Sequence, residues 1–516
     1  MRLTLPGSIL VSLLLTSGAS AKETIQQRVN TMTKEVTSLK KEVNTLKSDN
    51  AELSSVVDTD NGTHDPYSVE TLDIINDLRR QIADMNQSIS KNRLNFGVDF
   101  RTSVDNLHYE MANGTKPKND ALMSNRLWLN MGYSPSANLH FGGQLAYNKL
   151  FGERSMINAQ NGGMDSFDWV SSENRQDDTL RVQSAFINYE EDQLFGLNVP
   201  WSLGIGRRPS TNGKLISYRE DDEATSSLGH ITNAEFDGGN LKFNLANLTG
   251  VSGASVKFAA GQGMSNAEPH FSATPYADSA STDTGNIMMY AINIVPYHDQ
   301  KIETEFQYTH ANNLIDITNG GFDQFGAFNP ANYDPSLESV GSLHLASAFV
   351  ALHGIGEGWS DYLDKTTLFL SGAMSKTDPD TGKAMLGSTE SETGYSYWIG
   401  TQMPSLFSEK GKWGVEFNHG SQYWRSFTYG EDTAIGSKIA ARGDAYELYF
   451  TEPLTKGLSF QLRYTYIDYD YSGSNGFFGS QSGTPMKISD IPSTTDLAGV
   501  VVDKAQDIRA YIRYKF

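Results

Sequence analysis

From Leu94 onward the chain alternates. Leu94, Phe96, Val98 and Phe100 are apolar, and Asn95, Gly97, Asp99 and Arg101 fall between them. A period of two sends one set to each face of an extended strand. The pattern returns at Leu127, Leu129, Met131 and Tyr133, then at Leu139, Phe141 and Leu145. It recurs at Trp413, Val415 and Phe417, at Leu458, Phe460, Leu462, Tyr464 and Tyr466, and at Ile508, Ala510, Ile512, Tyr514 and Phe516. Each segment has an oily face and a polar one, so each must divide an apolar medium from a wet one. A soluble sheet meets that demand, and so does a strand between lipid and water.

The connections separate the two. Some are short, as at 134–137, 295–300 and 451–457, and others are long and polar, near 105–124, 152–178, 311–341 and 471–504. Short and long alternate along much of the chain, as they do in a membrane barrel with short periplasmic turns and long outer loops. Strand segments fall near 94–104, 125–133, 138–150, 179–189, 198–208, 235–247, 253–261, 286–296, 300–310, 342–353, 364–376, 393–403, 411–420, 441–452, 457–470 and 505–516. That is about 16, an even number as single-chain bacterial barrels require, with 14 to 18 allowed because 198–208 and 235–261 are the weakest patterns. Segments of about ten residues match a tilted membrane crossing. Residues 92–516 therefore read as an all-β, transmembrane antiparallel β-barrel with a water-filled interior. Composition agrees: hydrophobic residues are only 38%, as expected when every second residue meets lipid, while 24 Tyr, 25 Phe and 47 Gly suit strands and turns.

Ahead of the barrel the period differs. Residues 1–21 read as a signal peptide, with Arg2, an apolar run from Ile9 to Leu15 and a small-residue site at Ala19-Ser20-Ala21. Residues 22–91 read as an α-helical coiled-coil region. Val29, Val36, Val43 and Asn50 hold one seam position, and Met32, Leu39, Leu46 and Leu53 hold the other, with spacing that alternates four and three. Glu35 with Lys40 and Glu42 with Lys47 have the spacing of interchain ion pairs in a parallel coil, which predicts a homo-oligomer, dimer or trimer. A second stretch near 68–91 has a different phase, so an interrupted intermolecular stalk and an intrachain hairpin are both open. An even strand number puts both barrel ends, and the coil, in the periplasm.

The register sends several cations inward: Arg101, Arg126, Arg181, Arg463, Arg509 and Arg513, joined by Lys242, Lys257 and Lys515. Arg101 and Arg126 lie on the first two strands, and Arg463 and Arg509 lie on the last two, at similar expected heights. Fewer carboxylates fall in phase: Asp99, Glu303, Glu305, Glu416 and Glu447. The lumen thus reads as a basic wall that tunes selectivity. The loop 209–229 contains Arg219, Glu220, Asp221, Asp222 and Glu223, and folded inward it would set acids against that wall. Ile512, Tyr514 and Phe516 would face lipid, and a terminal Phe after alternating apolar residues resembles the signal read by the barrel assembly machinery.

Catalytic signals are missing. The ten histidines show no paired metal-ligand spacing, and there is no nucleophile elbow, P-loop or dinucleotide motif. Without cysteine there are no disulfides, haem-attachment sites or thiolate metal sites. A stretch starting at Asp468 and Asp470 begins like a calcium loop, but Gly479 stands where a bidentate Glu is needed. A net charge of −20 argues against nucleic-acid binding. No cofactor, metal or enzymatic activity is expected.

Together, LNFGVDFR at the barrel start, SLGIGRRPSTNGK, NAEFDGGNLKFNL and the final RAYIRYKF resemble bacterial outer-membrane porins. The order of parts is similar to an uncharacterised porin-like family with an N-terminal periplasmic coiled coil. That resemblance implies an outer-membrane protein in contact with lipid, passive diffusion of small hydrophilic solutes or ions, and oligomers. The alternative is a structural tether whose coiled coil reaches peptidoglycan.

Overall fold

A computed structural model describes residues 94–152, 180–208, 211–268, 273–278 and 284–516. The expected signal peptide and coiled coil, with the seam from Val29 to Leu53, lie outside the described residues, as does most of the 152–178 connection. Sixteen antiparallel strands close into one barrel. They are β1 (Asn95–Met111), β2 (Lys118–Tyr133), β3 (Leu139–Leu150), β4 (Arg181–Glu191), β5 (Trp201–Arg208), β6 (Phe236–Asn244), β7 (Ser255–Met264) and β8 (Ile287–Val295). The second half comprises β9 (Ile302–Phe322), β10 (Phe328–His353), β11 (Thr367–Pro379), β12 (Thr393–Pro404), β13 (Lys412–Gly420), β14 (Gly443–Thr455), β15 (Leu458–Tyr469) and β16 (Val502–Lys515). Every strand falls on a segment marked by the alternation, including the weak ones at β5 to β7. β16 closes against β1, with Arg513 opposite Arg101.

The two faces differ as the period demands. On β15, Leu462 is 45% exposed and neighbouring Gln461 is fully buried; on β16, Ile508 is 50% exposed and Arg509 is fully buried. The buried set points inward, because Gln461 donates to the backbone carbonyl of Arg219, which belongs to a loop inside the barrel. The exposed set (Phe100, Ile187, Phe258, Phe306, Leu370, Ile399 and Leu448 among others) forms the oily outer belt.

Two expectations are corrected. Residues 105–124 and 311–341 are not loops, since strand pairing continues through them. The β1–β2 hairpin continues, through one register shift after Asp105, to His108 opposite Lys118, and β9–β10 continues, through four register shifts, to Phe322 opposite Phe328. A membrane crossing needs only about 9–11 residues per strand, so much of the 21-residue β9 and the 26-residue β10 lies beyond it. Past the lipid, nothing requires an apolar residue at every second position. The periodicity fades while the backbone goes on pairing.

The interior is not simply water-filled either. Three connections turn into the barrel: 211–235, 421–442 and 470–501. Trp424, Phe427, Phe477 and Phe478 pack with Ile231 and with Leu343 and Leu345 of β10. Leu215, Ile216 and Leu228 pack with Phe349, Phe369 and Trp398 of the wall. The first two inner loops are also stitched together, because Thr232–Asn233 pairs in parallel with Phe427–Thr428. Loops of this length with large aromatic side chains bury more apolar area against the wall than they would in water.

Candidate functional site

The inner loops meet the barrel wall at the closure seam. Arg126, Arg101 and Arg513 face one another in one row across β2, β1 and β16. Arg463, Arg509 and Asp105 form a second row, four residues farther along, across β15, β16 and β1. The common height expected for these arginines is therefore replaced by two staggered rows. One loop residue joins them. Asp432, at the inner tip of 421–442, accepts two hydrogen bonds from Arg101, one of them at 2.6 Å, and one from Arg126 at 3.0 Å. Its backbone carbonyl accepts from Arg463 at 3.0 Å and Arg509 at 2.6 Å. Four guanidinium groups thus converge on one aspartate, which has a φ of 55°, a left-handed conformation that Asp tolerates better than most residues. Burial alone would push the Asp432 carboxyl up, but Arg101 and Arg126 outweigh it and hold it well below the usual carboxylate range.

The loop 211–235 supplies the second contact. A single helical turn, Ile216–Glu220, carries Arg219 and Glu220 to the seam. The last carbonyls of a helix lack internal partners. Here the wall supplies them: Gln402 donates to the carbonyl of Tyr218, Gln461 to that of Arg219 and Arg513 to that of Glu220. Tyr218 stacks on Phe369 with centroids 4.9 Å apart. The Glu220 carboxylate lies 2.9 Å from Arg219, 3.5 Å from Arg463 and 3.8 Å from Arg101. Asp222 takes Arg513 at 2.5 Å and Lys515 at 2.6 Å.

A second knot lies beside the first. Lys438, buried on the loop, bridges Glu416 at 2.6 Å and Glu447 at 2.5 Å. Its ammonium sits 5.0 Å from the centre of the Trp398 ring, and the Trp398 indole donates to Glu416 at 2.9 Å. Arg219 reaches Glu447 at 3.5 Å. From the wall itself, Asp99 lies between Arg126 and Arg513, and Asp105 pairs with Arg509.

The wall arginines are thus inward but not a bare basic surface. Arg101, Arg126, Arg463, Arg509 and Arg513 are buried and matched by acids from loops and wall. Arg181 is only partly buried and stands on β4, away from this cluster. Of the acidic run, Glu220 and Asp222 join the cluster, Asp221 instead pairs with Lys412 at 2.6 Å, and Glu223 is exposed. Ile512, Tyr514 and Phe516 lie on the outer face at 51%, 43% and 82% exposure. Sequence reasoning passed over Asp105 and Asp507, although both share the phase of Arg509. It also passed over Asp432 and Lys438, which sit in a loop with no period to assign a direction. Among the described residues, no group of three or more His, Asp or Glu side chains is placed to hold a metal ion.

Residues 116–516 match the family described as "Protein of unknown function (DUF3373)". The chain belongs to that family. Solved structures similar to it include an anion-selective porin from Comamonas acidovorans, 10% identical, with a TM-score of 0.45 over 82% of this chain and 99% of that one. OprB from Pseudomonas putida is 14% identical, with a TM-score of 0.45 over 84% of this chain and 96% of that one. OmpF from Salmonella typhi is 12% identical, with a TM-score of 0.40 over 81% and 97%. No curated protein matches the chain.

Proposed function

We propose that this family member is an outer-membrane channel for passive diffusion of small hydrophilic solutes or ions, narrowed by its inner loops. The observation that carries this reading is the closed 16-strand barrel, with an apolar outer belt and a charged, hydrogen-bonded inner face. An occluded anchor has no use for polar side chains left partly open inside it. Yet Asn130 and Gln144, inward on β2 and β3, remain partly exposed, so the loops leave part of the interior open.

In this reading Arg101, Arg126, Arg463, Arg509 and Arg513, with Asp432, Glu220 and Asp222, form the inner edge of the constriction, and Arg181 belongs to the open wall. Opposed charges across a narrowing orient polar solutes and screen them by charge and size. Residues 1–21 direct export, 22–91 form a periplasmic coil that assembles copies of the chain, and 92–516 form the barrel. Ile512, Tyr514 and Phe516 serve recognition by the barrel assembly machinery.

The test is reconstitution of the folded full-length protein in planar bilayers. Stepwise, voltage-driven conductance without an energy source is expected, and it should persist after deletion of 22–91 while the oligomeric state changes. Folded barrels that never conduct would overturn the channel reading.

A further inference from the structure

Away from the seam, charge matching stops. Lys242 on β6 stands directly opposite Lys257 on β7. Like charges facing each other across a strand pair destabilise a sheet. Arg208, at the end of β5, lays its guanidinium along the same wall, 4.1 Å from the centre of the Phe186 ring. Gly204 makes this possible, since a Cβ there would come within 2.9 Å of the Arg208 Nη1. Gly204 is opposite Asn240, two positions from the Ser202–Lys242 pair, so the guanidinium is brought back along β5 toward the two lysines.

None of these three cations has a carboxylate partner among the described residues. The nearby acids are taken: Lys214 engages both Glu303 and Glu305, Asn293 also donates to Glu305, and Arg207 pairs with Asp237 at 3.3 Å. The Nε and Nη1 of Arg208 and the Oγ of Ser226 are buried without a hydrogen-bond partner. Lys257 donates to the hydroxyl of Ser227. Arg208, Lys257, Ser226, Ser227 and Asn240 line one cavity of about 100 Å³ between the loop 211–235 and the wall. Buried charges and donors are costly unless paired. Here a guanidinium fork, an ammonium and two hydroxyls converge on one space and leave donors unused.

We propose that this cavity is a binding site for a compact oxyanion of the phosphate class, a way-station for anions where the loop 211–235 meets the wall of β5 to β7. Arg208 supplies the planar fork suited to two oxygens, Lys257 a point charge, and the serines neutral donors. Lys242, exposed nearer the short-turn end, extends the positive path toward that mouth. The site deepens the channel reading and rests on it for its role in transport, though not for binding itself.

The probe is inorganic phosphate, and the protein is the folded full-length chain with Arg208→Gln and Lys257→Met variants, each checked for heat-modifiable gel mobility. Arg208→Lys serves in place of any Gln variant that fails to fold. In bilayers, phosphate should reduce the chloride current saturably, and each substitution should raise the half-blocking concentration about tenfold, the loss of roughly one charge-assisted bond. Equal block in wild type and variants, or no effect on an open channel, overturns the site. Should the protein not conduct at all, equilibrium dialysis with radiolabelled phosphate decides separately. Saturable binding that the variants lose supports the site while the channel reading fails, and absence of saturable binding overturns the site.

Discussion

Consider Asp432→Ala. The change removes a carboxylate from Arg101 and Arg126 but spares the backbone carbonyl used by Arg463 and Arg509. Breaking a buried ion pair by deleting one partner costs about 3–5 kcal/mol. Arg101 keeps Glu220 at 3.8 Å, and Arg126 keeps Asp99 at 3.3 Å, so neither is stranded. The cost should therefore fall at the lower end, about 3 kcal/mol. That is not enough to expel the loop. Lys438 still bridges Glu416 and Glu447, Trp424 still donates to the carbonyl of Ile439 at 2.8 Å, and Arg442 still donates to the carbonyls of Ser472 and Gly483. Only the tip near 430–436 should relax. The variant should fold, unfold at a lower temperature in a gel-shift melt, and in a KCl gradient show a reversal potential displaced toward anions, because the seam has gained one net positive charge. Asp432→Asn should give the same displacement with a smaller loss of stability, since it retains an acceptor for Arg101. A folded Asp432→Ala channel with wild-type reversal potential and current noise would refute the idea that these arginines border the conducting path.

Lys438→Met should destabilise the barrel by about 3 kcal/mol or more, because it leaves Glu416 and Glu447 facing each other with only the longer contacts of Arg219 and Arg463 to Glu447, at 3.5 and 3.9 Å. Adding Glu416→Gln should recover part of the loss, and a single variant that melts like wild type would contradict the bridge. His230, on the inner loop, has both ring nitrogens hydrogen-bonded to Ser371 and Ser396, and burial pushes its pKa down from 6.5 to about 3. As pH falls, the unfolded chain takes up this proton first. The stability from keeping His230 neutral is thus whole above pH 6.5 and is lost toward pH 3, at up to about 1.4 kcal/mol per pH unit. Between pH 7 and pH 4.5 the melting temperature of wild type should fall more than that of His230→Asn, and equal falls would contradict the assignment. Finally, spin labels at Leu462 and Gln461 in vesicles should separate, the first accessible to lipid-dissolved oxygen and the second not.

What the sequence disclosed follows from which forces impose a period. Lipid on one side and a polar interior on the other enforce alternation, so all 16 strands were legible, down to β5 with only Trp201, Leu203 and Ile205 to mark it. The same alternation assigns Arg101, Arg463 and Arg509 to the interior from phase alone, and it would have assigned Asp105 and Asp507 too. Strand ends were legible only where lipid ends with the strand, which is why β9 and β10 looked like a loop from 311 to 341. The plug was the least legible part. Asp432 lies 331 residues from Arg101 and 306 from Arg126, in a stretch where no face repeats. The EDDE run drew notice because charge runs are visible. Even so, only Glu220 and Asp222 of its four acids enter the arginine cluster, and which two depends on the helical turn that ends at Glu220.

The arrangement of charge bears on selectivity in a way that net charge does not. The chain carries −20, which taken alone would suggest a cation-preferring pore. Exposed carboxylates are screened beyond about 8–10 Å in physiological salt, whereas charges enclosed by a low-dielectric wall are screened far less. A solute inside the barrel therefore responds to the lumen and not to the total. At the seam the lumen is close to neutral, because each arginine has an acid and the network is fixed by hydrogen bonds. Across the barrel, on β5 to β7, three cations have none among the described residues. If conduction runs along that side, the field felt by a passing ion is set by the unmatched cations, and a channel of this kind favours anions despite the net charge of the chain. Neutralising Arg208 and Lys257 together, which takes two charges from that side, should then move the reversal potential farther than neutralising Arg101 or Arg126, which takes one from the seam.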